Sequence, residues 1–79
     1  MATSKSAERI GSQSICAQVG RRIAELRDKK GWSQRMLADH AGIEYAHLAR
    51  LELGQKEAGL FILQKIAEAL GVQAWELLK

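Results

Sequence analysis

The sequence breaks a helical pattern at Gly42, within the stretch ADHAGIEYAHLARLE that runs from Ala38 to Glu52. Leu48 and Leu51 keep helical spacing beyond the break. A glycine inside a helix costs about 1 kcal/mol relative to alanine, which disfavours one continuous helix. We therefore expect two short helices that meet at a sharp turn.

Helical spacing extends over most of the remaining sequence. The 79 residues contain no proline, and no alternating β-branched run of four or more residues predicts a strand. We expect an all-α, compact five-helix domain over residues 14–79, with helical periodicity beginning at Ile15. Residues 1–13 are small, polar and charged with little periodicity, which predicts a flexible tail. The expected inward positions are Val19, Ile23, Leu26, Trp32, Met36, Leu37, Ala41, Ile43, Leu48, Leu51, Leu60, Leu63, Ile66, Ala67, Leu70 and Val72.

The composition is that of a single small domain that has no disulfide bond or zinc site to stabilise it. Cys16 is the only cysteine, so no internal disulfide can form, and no Cys/His cluster has zinc-ligand spacing. The sequence has no apolar run of membrane-spanning length and no signal-peptide pattern, and we expect a cytoplasmic protein that does not bind membranes. It also has no nucleophile–base pair and no glycine-rich phosphate loop. We therefore expect no enzymatic activity, no cofactor and no small-molecule ligand.

Charge is distributed unevenly along the chain. Residues 1–35 contain eight basic and three acidic side chains, whereas residues 36–79 contain four basic and six acidic side chains. The net charge of +3 favours an anionic partner without requiring one, because such asymmetry also arises by chance on a solvated surface.

The break at Gly42 is typical of a helix-turn-helix motif, although a corner in an ordinary helical bundle is the alternative. A small Ala38 would let the two helices approach at their crossing, while Ile43 would seal it. The stretches VGRRIAELRDKKGWSQRMLADHAGI, HLARLELGQ and LQKIAEALGV, followed by ELL, resemble the phage repressor and Cro type of helix-turn-helix domain, whose members include xenobiotic-response-element-like regulators. This resemblance covers about three-quarters of the chain, residues 19–78. It implies a third helix in the major groove of double-stranded DNA and a homodimer on a two-fold symmetric operator.

Under this resemblance, the exposed side chains of the third helix would contact the edges of the bases. Arg50 can donate two hydrogen bonds to guanine, and Ala46 can touch a thymine methyl group. His47 can donate or accept, and Tyr45 can do the same or stand against the sugar-phosphate backbone. Glu44 is a poor N-cap where relatives commonly carry serine or threonine, so it is either a specificity element for a cytosine amino group or a mismatch.

The resemblance also implies phosphate contacts and one structural ion pair. Gln34 matches a glutamine that contacts phosphate at the start of the second helix, and its neighbour Arg35 can reach the same strand. A second phosphate clamp is implied for the loop after the third helix, and an ion pair between the first and third helices. Gln55 and Lys56 would form the clamp, and Arg27 and Glu52 would form the ion pair.

Apolar residues near the end of the sequence depart from the pattern of the resemblance. Phe61 and Trp75 fall off the expected inward stripes, and Leu53 is apolar where relatives are usually polar. We expect a homodimer interface that contains Phe61, Trp75 and Leu78, with an additional core layer as the alternative.

Two functions from different classes fit these observations. The first is a sequence-specific transcriptional regulator, similar in size to restriction–modification controller proteins and compact phage-type repressors. The second is an antitoxin or another protein-interaction module with the same fold. Antitoxins often add a segment that wraps the toxin, and because only Lys79 follows Leu78, we expect the regulator.

Overall fold

Residues 2–79 form four α-helices, one short 3₁₀ helix and the loops between them. The structure is a computed structural model that describes the backbone of residues 2–79 and the side chains from Ile15 onward. The elements are α1 (Ala2–Lys29), α2 (Gln34–Ala41), α3 (Tyr45–Glu52), α4 (Leu60–Leu70) and the 3₁₀ helix (Ala74–Leu78). Residues 2–79 contain no strand, so the all-α prediction is confirmed.

The predicted count of five α-helices is wrong, because the last element winds as a 3₁₀ helix. Segments this short often take the tighter winding. A capping box stabilises its start, in which the Gln73 backbone N–H donates to Glu76 Oε2 over 3.1 Å. At the other end of the chain, α1 begins at Ala2 rather than near Ile15. The side chains of residues 1–13 lie outside the described residues. The flexible tail predicted for this segment therefore stays a prediction.

The core lies where α1, α2, α3, α4 and the 3₁₀ helix meet. Its largest fully buried side chains, among those the structure describes, are Ile23, Leu37, Leu48, Ile66 and Leu77. Every element therefore contributes at least one side chain to the same apolar cluster. None of the helices in the described part of the chain combines the length and apolarity that a membrane crossing needs.

Two predicted core residues are in fact exposed. Leu60 is 86% exposed because it is the first residue of α4, and the buried positions of that helix begin at Leu63. Met36 is exposed because α2 turns Leu37, Ala38 and Ala41 inward instead. A further four of the predicted core residues are only partly buried against the core: Leu26, Trp32, Ile43 and Val72.

Gly20 allows α1 to pass unusually close to the end of α3. A Cβ atom at this position would lie 2.4 Å from the carbonyl oxygen of Leu51 and 2.6 Å from that of Glu52. Both obstacles are backbone atoms, which cannot rotate away as a side chain can. The absence of a side chain at Gly20 therefore sets the distance between the two helices.

Replacing Gly20 with alanine should lower the free energy of unfolding by about 2 kcal/mol, because an overpacking cost of about 3 kcal/mol outweighs the roughly 1 kcal/mol that alanine gains in helix propensity. Chemical denaturation followed by circular dichroism measures the change. The control is Gly59→Ser, since no neighbour lies within 4 Å of a Cβ at Gly59 and serine suits its N-cap position. An unchanged midpoint for Gly20→Ala would contradict the close approach.

Candidate nucleic-acid interface

The turn between α2 and α3 is a glycine-terminated helix end. Gly42 adopts the left-handed conformation, with φ of 70° and ψ of 35°, and its N–H donates to the carbonyls of Ala38 and Asp39. The N–H of Ile43 donates to the Ala38 carbonyl over 3.0 Å, which completes a Schellman-type closure. Ala38 itself is buried at the crossing, as its small size predicts. The chain then enters α3 with Leu48 and Leu51 packed into the core.

The opposite face of α3 is open to solvent. Glu44, Tyr45, Ala46 and Arg50 are all exposed, as expected for residues that meet a ligand surface. Glu44 occupies the N-cap position but makes no side-chain capping hydrogen bond. Its carboxylate is therefore not used to close the helix.

His47 is less accessible than predicted. It is partly buried, and no group in the described part of the chain forms a hydrogen bond with its buried Nε2 atom. The reason is helical phase, because His47 lies four residues before the buried Leu51 and so flanks the inward face. In this conformation His47 cannot offer Nε2 to a base.

A cation–π contact joins α2 to the start of α3. The Arg35 guanidinium lies 4.8 Å from the centroid of the Tyr45 ring. Both side chains are exposed, and the contact places two of the predicted DNA-binding residues next to each other.

The predicted phosphate ligands differ in their exposure to solvent. Arg35, Gln55 and Lys56 are exposed. Gln34 is partly buried, and its Nε2 donates to Glu52 Oε1 over 2.8 Å. Ser33 closes the start of α2, since its hydroxyl accepts from the Met36 N–H over 3.1 Å.

Arg27 and Glu52 form the ion pair that the resemblance implies. Arg27 Nε lies 2.8 Å from Glu52 Oε2, and Nη2 lies 3.0 Å from Oε1, a bidentate geometry that makes a strong charge-assisted pair. The Glu52 side chain is only 5% exposed. Arg27 Nη1 also donates to the Trp32 carbonyl over 2.8 Å and to Asp28 over 3.2 Å.

The hydrogen bond to Glu52 raises the pKa of Arg27 above its ordinary value, against the opposing effect of burial. Arg27 is therefore charged at every ordinary pH. The stability that follows from the raised pKa is fully present below the ordinary arginine pKa and is lost only as the pH rises through the higher, folded-state value.

A set of exposed apolar side chains lies on α4 and the 3₁₀ helix. Phe61 is 71% exposed and Trp75 is 59% exposed. The Lys65 ammonium lies 5.0 Å from the centroid of the Phe61 ring, and the Lys79 ammonium lies 5.0 Å from that of the Trp75 ring. Leu78 is exposed as well, while its neighbour Leu77 enters the core. The alternative of an additional core layer is thus wrong for Phe61, Trp75 and Leu78 in the single chain.

The sequence profile of the family described as Helix-turn-helix matches residues 23–74, which include α2, the turn and α3. This chain belongs to the helix-turn-helix family. The predicted resemblance is confirmed.

Relatives and solved structures agree with the helix-turn-helix assignment. YonR, an SPbeta prophage-derived uncharacterized HTH-type transcriptional regulator of Bacillus subtilis, is 38% identical over 60 residues, which make up 76% of this chain and 56% of YonR. A hypothetical transcription factor of Neisseria meningitidis is 33% identical over 72 residues, covering 91% of this chain and 68% of that protein. The crystal structure of the restriction-modification controller protein C.AhdI from Aeromonas hydrophila has a TM-score of 0.77 and 35% identity, covering 78% of this chain and 94% of C.AhdI.

The helix-turn-helix domain of this chain is thus a DNA-binding domain of the kind that transcriptional regulators carry. The relatives are named as regulators rather than enzymes, which agrees with the expectation of no enzymatic activity. No group of His, Cys, Asp and Glu within the described residues has the arrangement of a metal site.

Sequence reasoning missed three features of this helix-turn-helix domain. Gly20 gave no signal because its role depends on the neighbouring backbone of α3. The Trp32 and His40 rings are stacked with centroids 4.3 Å apart, although eight positions separate them in the chain. The hydrogen bond from Gln34 to Glu52 also joins residues distant in sequence. The positions were visible in the sequence, but their partners were not.

Replacing Arg27 with methionine should lower the free energy of unfolding by about 3–5 kcal/mol, because Glu52 would be left as an unpaired buried charge. The control is the double replacement Arg27→Met with Glu52→Met, in which an apolar pair of similar volume takes the place of the ions. Its stability should lie close to that of the wild type. Urea denaturation measures both, and equal losses in the two variants would contradict the buried-charge explanation.

Proposed function

We propose that this protein is a cytoplasmic, sequence-specific transcriptional regulator that binds a two-fold symmetric DNA operator as a homodimer. In this proposal α3 enters the major groove, and base edges are contacted by Glu44, Tyr45, Ala46, His47 and Arg50. Phosphate contacts come from Gln34, Arg35, Gln55 and Lys56. The observation that carries the proposal is the solvent-facing side of α3 on a helix-turn-helix whose other side is fully packed.

The electrostatics of α3 support DNA as the ligand. Residues 43–52 contain two glutamates and one arginine, which by itself disfavours a polyanion. Glu52, however, is buried and neutralised by Arg27. The outward face then carries only Glu44 and Arg50, and Arg35 adds a further positive charge beside Tyr45.

The chemistry of the outward face supports recognition of bases rather than phosphates alone. Arg50 matches the two acceptors of guanine in the major groove, and Glu44 matches an amino donor of cytosine. With Nε2 buried, His47 contributes at most its other ring nitrogen unless the ring rotates. We therefore expect Arg50 to contribute most to discrimination between base pairs.

The exposed aromatic residues support dimerisation. Phe61 and Trp75 are exposed on α4 and the 3₁₀ helix, so two copies that join there would use side chains other than those proposed to contact bases. A two-fold dimer would present two copies of α3 about 34–36 Å apart, one helical turn of DNA.

Selection of bound sequences from random duplex DNA at low ionic strength tests this function directly. The expected product is an inverted repeat with half-sites about one helical turn, or a multiple of it, apart. Recovery of no enriched sequence, together with no retention of DNA at low salt, would overturn the proposal and favour the protein-interaction module.

Arg50→Ala should relax one position in each half-site and cost about 1–3 kcal/mol of binding free energy, since a bidentate base contact is lost. Lys56→Ala is the matched control, because a phosphate contact carries no sequence information. It should weaken all sequences alike and reduce the slope of log K against log salt concentration by about one per site. Titrations of the selected site and its single-base variants at several salt concentrations measure both effects. A uniform loss of affinity for Arg50→Ala would remove it from the base-contacting set.

Trp75→Ala should weaken the homodimer by about 2 kcal/mol or roughly thirtyfold, the usual effect of removing a central aromatic residue from an interface. Sedimentation equilibrium measures the dimer constant. Leu53→Ala is the control, because Leu53 is an exposed apolar residue outside α4 and the 3₁₀ helix. An equal effect of the two variants, or a wild type that stays monomeric at tens of micromolar, would contradict the assignment of this interface.

A further inference from the structure

The side-chain amide of Gln34 connects a buried carboxylate to the surface where we propose that phosphate binds. Gln34 is the first residue of α2, and Glu52 is the last residue of α3. Gln34 Nε2 donates to Glu52 Oε1 over 2.8 Å. The two ends of the helix-turn-helix are therefore joined by a side-chain hydrogen bond, at a distance of 18 residues in the sequence.

The acceptor in this hydrogen bond is itself held in place. Glu52 Oε1 also accepts from Arg27 Nη2 over 3.0 Å, and Oε2 accepts from Arg27 Nε over 2.8 Å. The Glu52 side chain is nearly completely buried. Both carboxylate oxygens are thus fixed by α1, and the position of Glu52 determines the position of any group that donates to it.

The hydrogen bond leaves part of the Gln34 amide available. A primary amide has two N–H donors and one acceptor oxygen, so one N–H remains after the bond to Glu52 is made. Gln34 is only partly buried, at the helix start where backbone N–H groups already favour anions. A glutamine side chain that is ordered before binding loses less conformational entropy when it contacts a ligand.

We infer that Glu52 is a positioning residue for DNA binding, which orders Gln34 so that its remaining N–H is available to a phosphate oxygen. The inference rests on the proposed function. It gives the Arg27–Glu52 pair a role in DNA affinity that is separate from its role in stability.

A double-mutant cycle separates these two roles. Gln34→Ala is made in the wild type and in the background Arg27→Met with Glu52→Met, where an apolar pair replaces the ions and no acceptor remains for Gln34. Affinity for the selected operator duplex is measured by fluorescence anisotropy, at a temperature where circular dichroism shows each variant folded. We expect Gln34→Ala to weaken binding about tenfold in the wild type and less than about threefold in the methionine background.

Gln55→Ala is the matched control. Gln55 is also a glutamine assigned to phosphate, but it lies exposed in the loop after α3. Its backbone N–H donates to the Arg50 carbonyl over 3.0 Å, and its side chain has no hydrogen bond to any residue whose side chain the structure describes. Its replacement should weaken binding by the same factor in both backgrounds. Neither glutamine carries charge, so the salt dependence of binding should keep its slope in both variants.

An equal effect of Gln34→Ala in the two backgrounds would overturn the inference, because Glu52 would then act on stability alone. If the methionine background does not fold, the single replacement Glu52→Met takes its place. Arg27 then keeps its bonds to Asp28 and to the Trp32 carbonyl, Gln34 has no carboxylate to donate to, and the same reduction in the effect of Gln34→Ala is expected. Failure of the wild type to bind any DNA would instead overturn the proposed function, so the two failures are distinguishable.

Discussion

The contact between α1 and the carboxyl end of α3 determines where the solvent-facing side of α3 lies. An isolated helix of eight residues is marginal in water, so α3 depends on tertiary contacts for its existence and its orientation. Leu48 and Leu51 supply such contacts in the core. At the carboxyl end, Gly20 lets the backbones approach, and the bidentate Arg27–Glu52 pair holds the last residue of α3. The pair requires the close approach, since an arginine and a buried glutamate must reach hydrogen-bonding distance on both oxygens.

This arrangement also decides the charge that α3 presents. Residues 43–52 are net acidic, yet the Glu52 side chain is buried and is neutralised there by Arg27. Glu44 stays exposed at the N-cap position without capping the helix, which leaves its carboxylate available for contacts outside the chain. Arg35, stacked over Tyr45, places a positive charge beside the first residue of α3. The surface is therefore more favourable to an anionic ligand than the helix sequence indicates.

α1 also holds the 3₁₀ helix that carries Trp75. Arg22 Nε donates to the Glu76 carbonyl over 3.0 Å, and Gln18 Nε2 donates to the Leu78 carbonyl over 3.1 Å. One helix thus supports both the proposed DNA-binding surface and part of the proposed dimer interface. In a dimer, this common support would fix the separation of the two copies of α3, which a two-fold symmetric operator requires.

The sequence by itself determined the helical class, the break at Gly42, the inward positions Leu48 and Leu51, and, through family resemblance, the pairing of Arg27 with Glu52. The first three follow from local rules, because helical periodicity and glycine conformation depend on a few neighbouring residues, whereas the pairing of Arg27 with Glu52 follows from the resemblance alone. Only the tertiary structure decided that Leu60 is exposed, that His47 is partly buried beside the core, and that Gln34 donates a hydrogen bond to Glu52. Each of these depends on which distant backbone or side chain occupies the adjoining space, and local periodicity contains no information about that space.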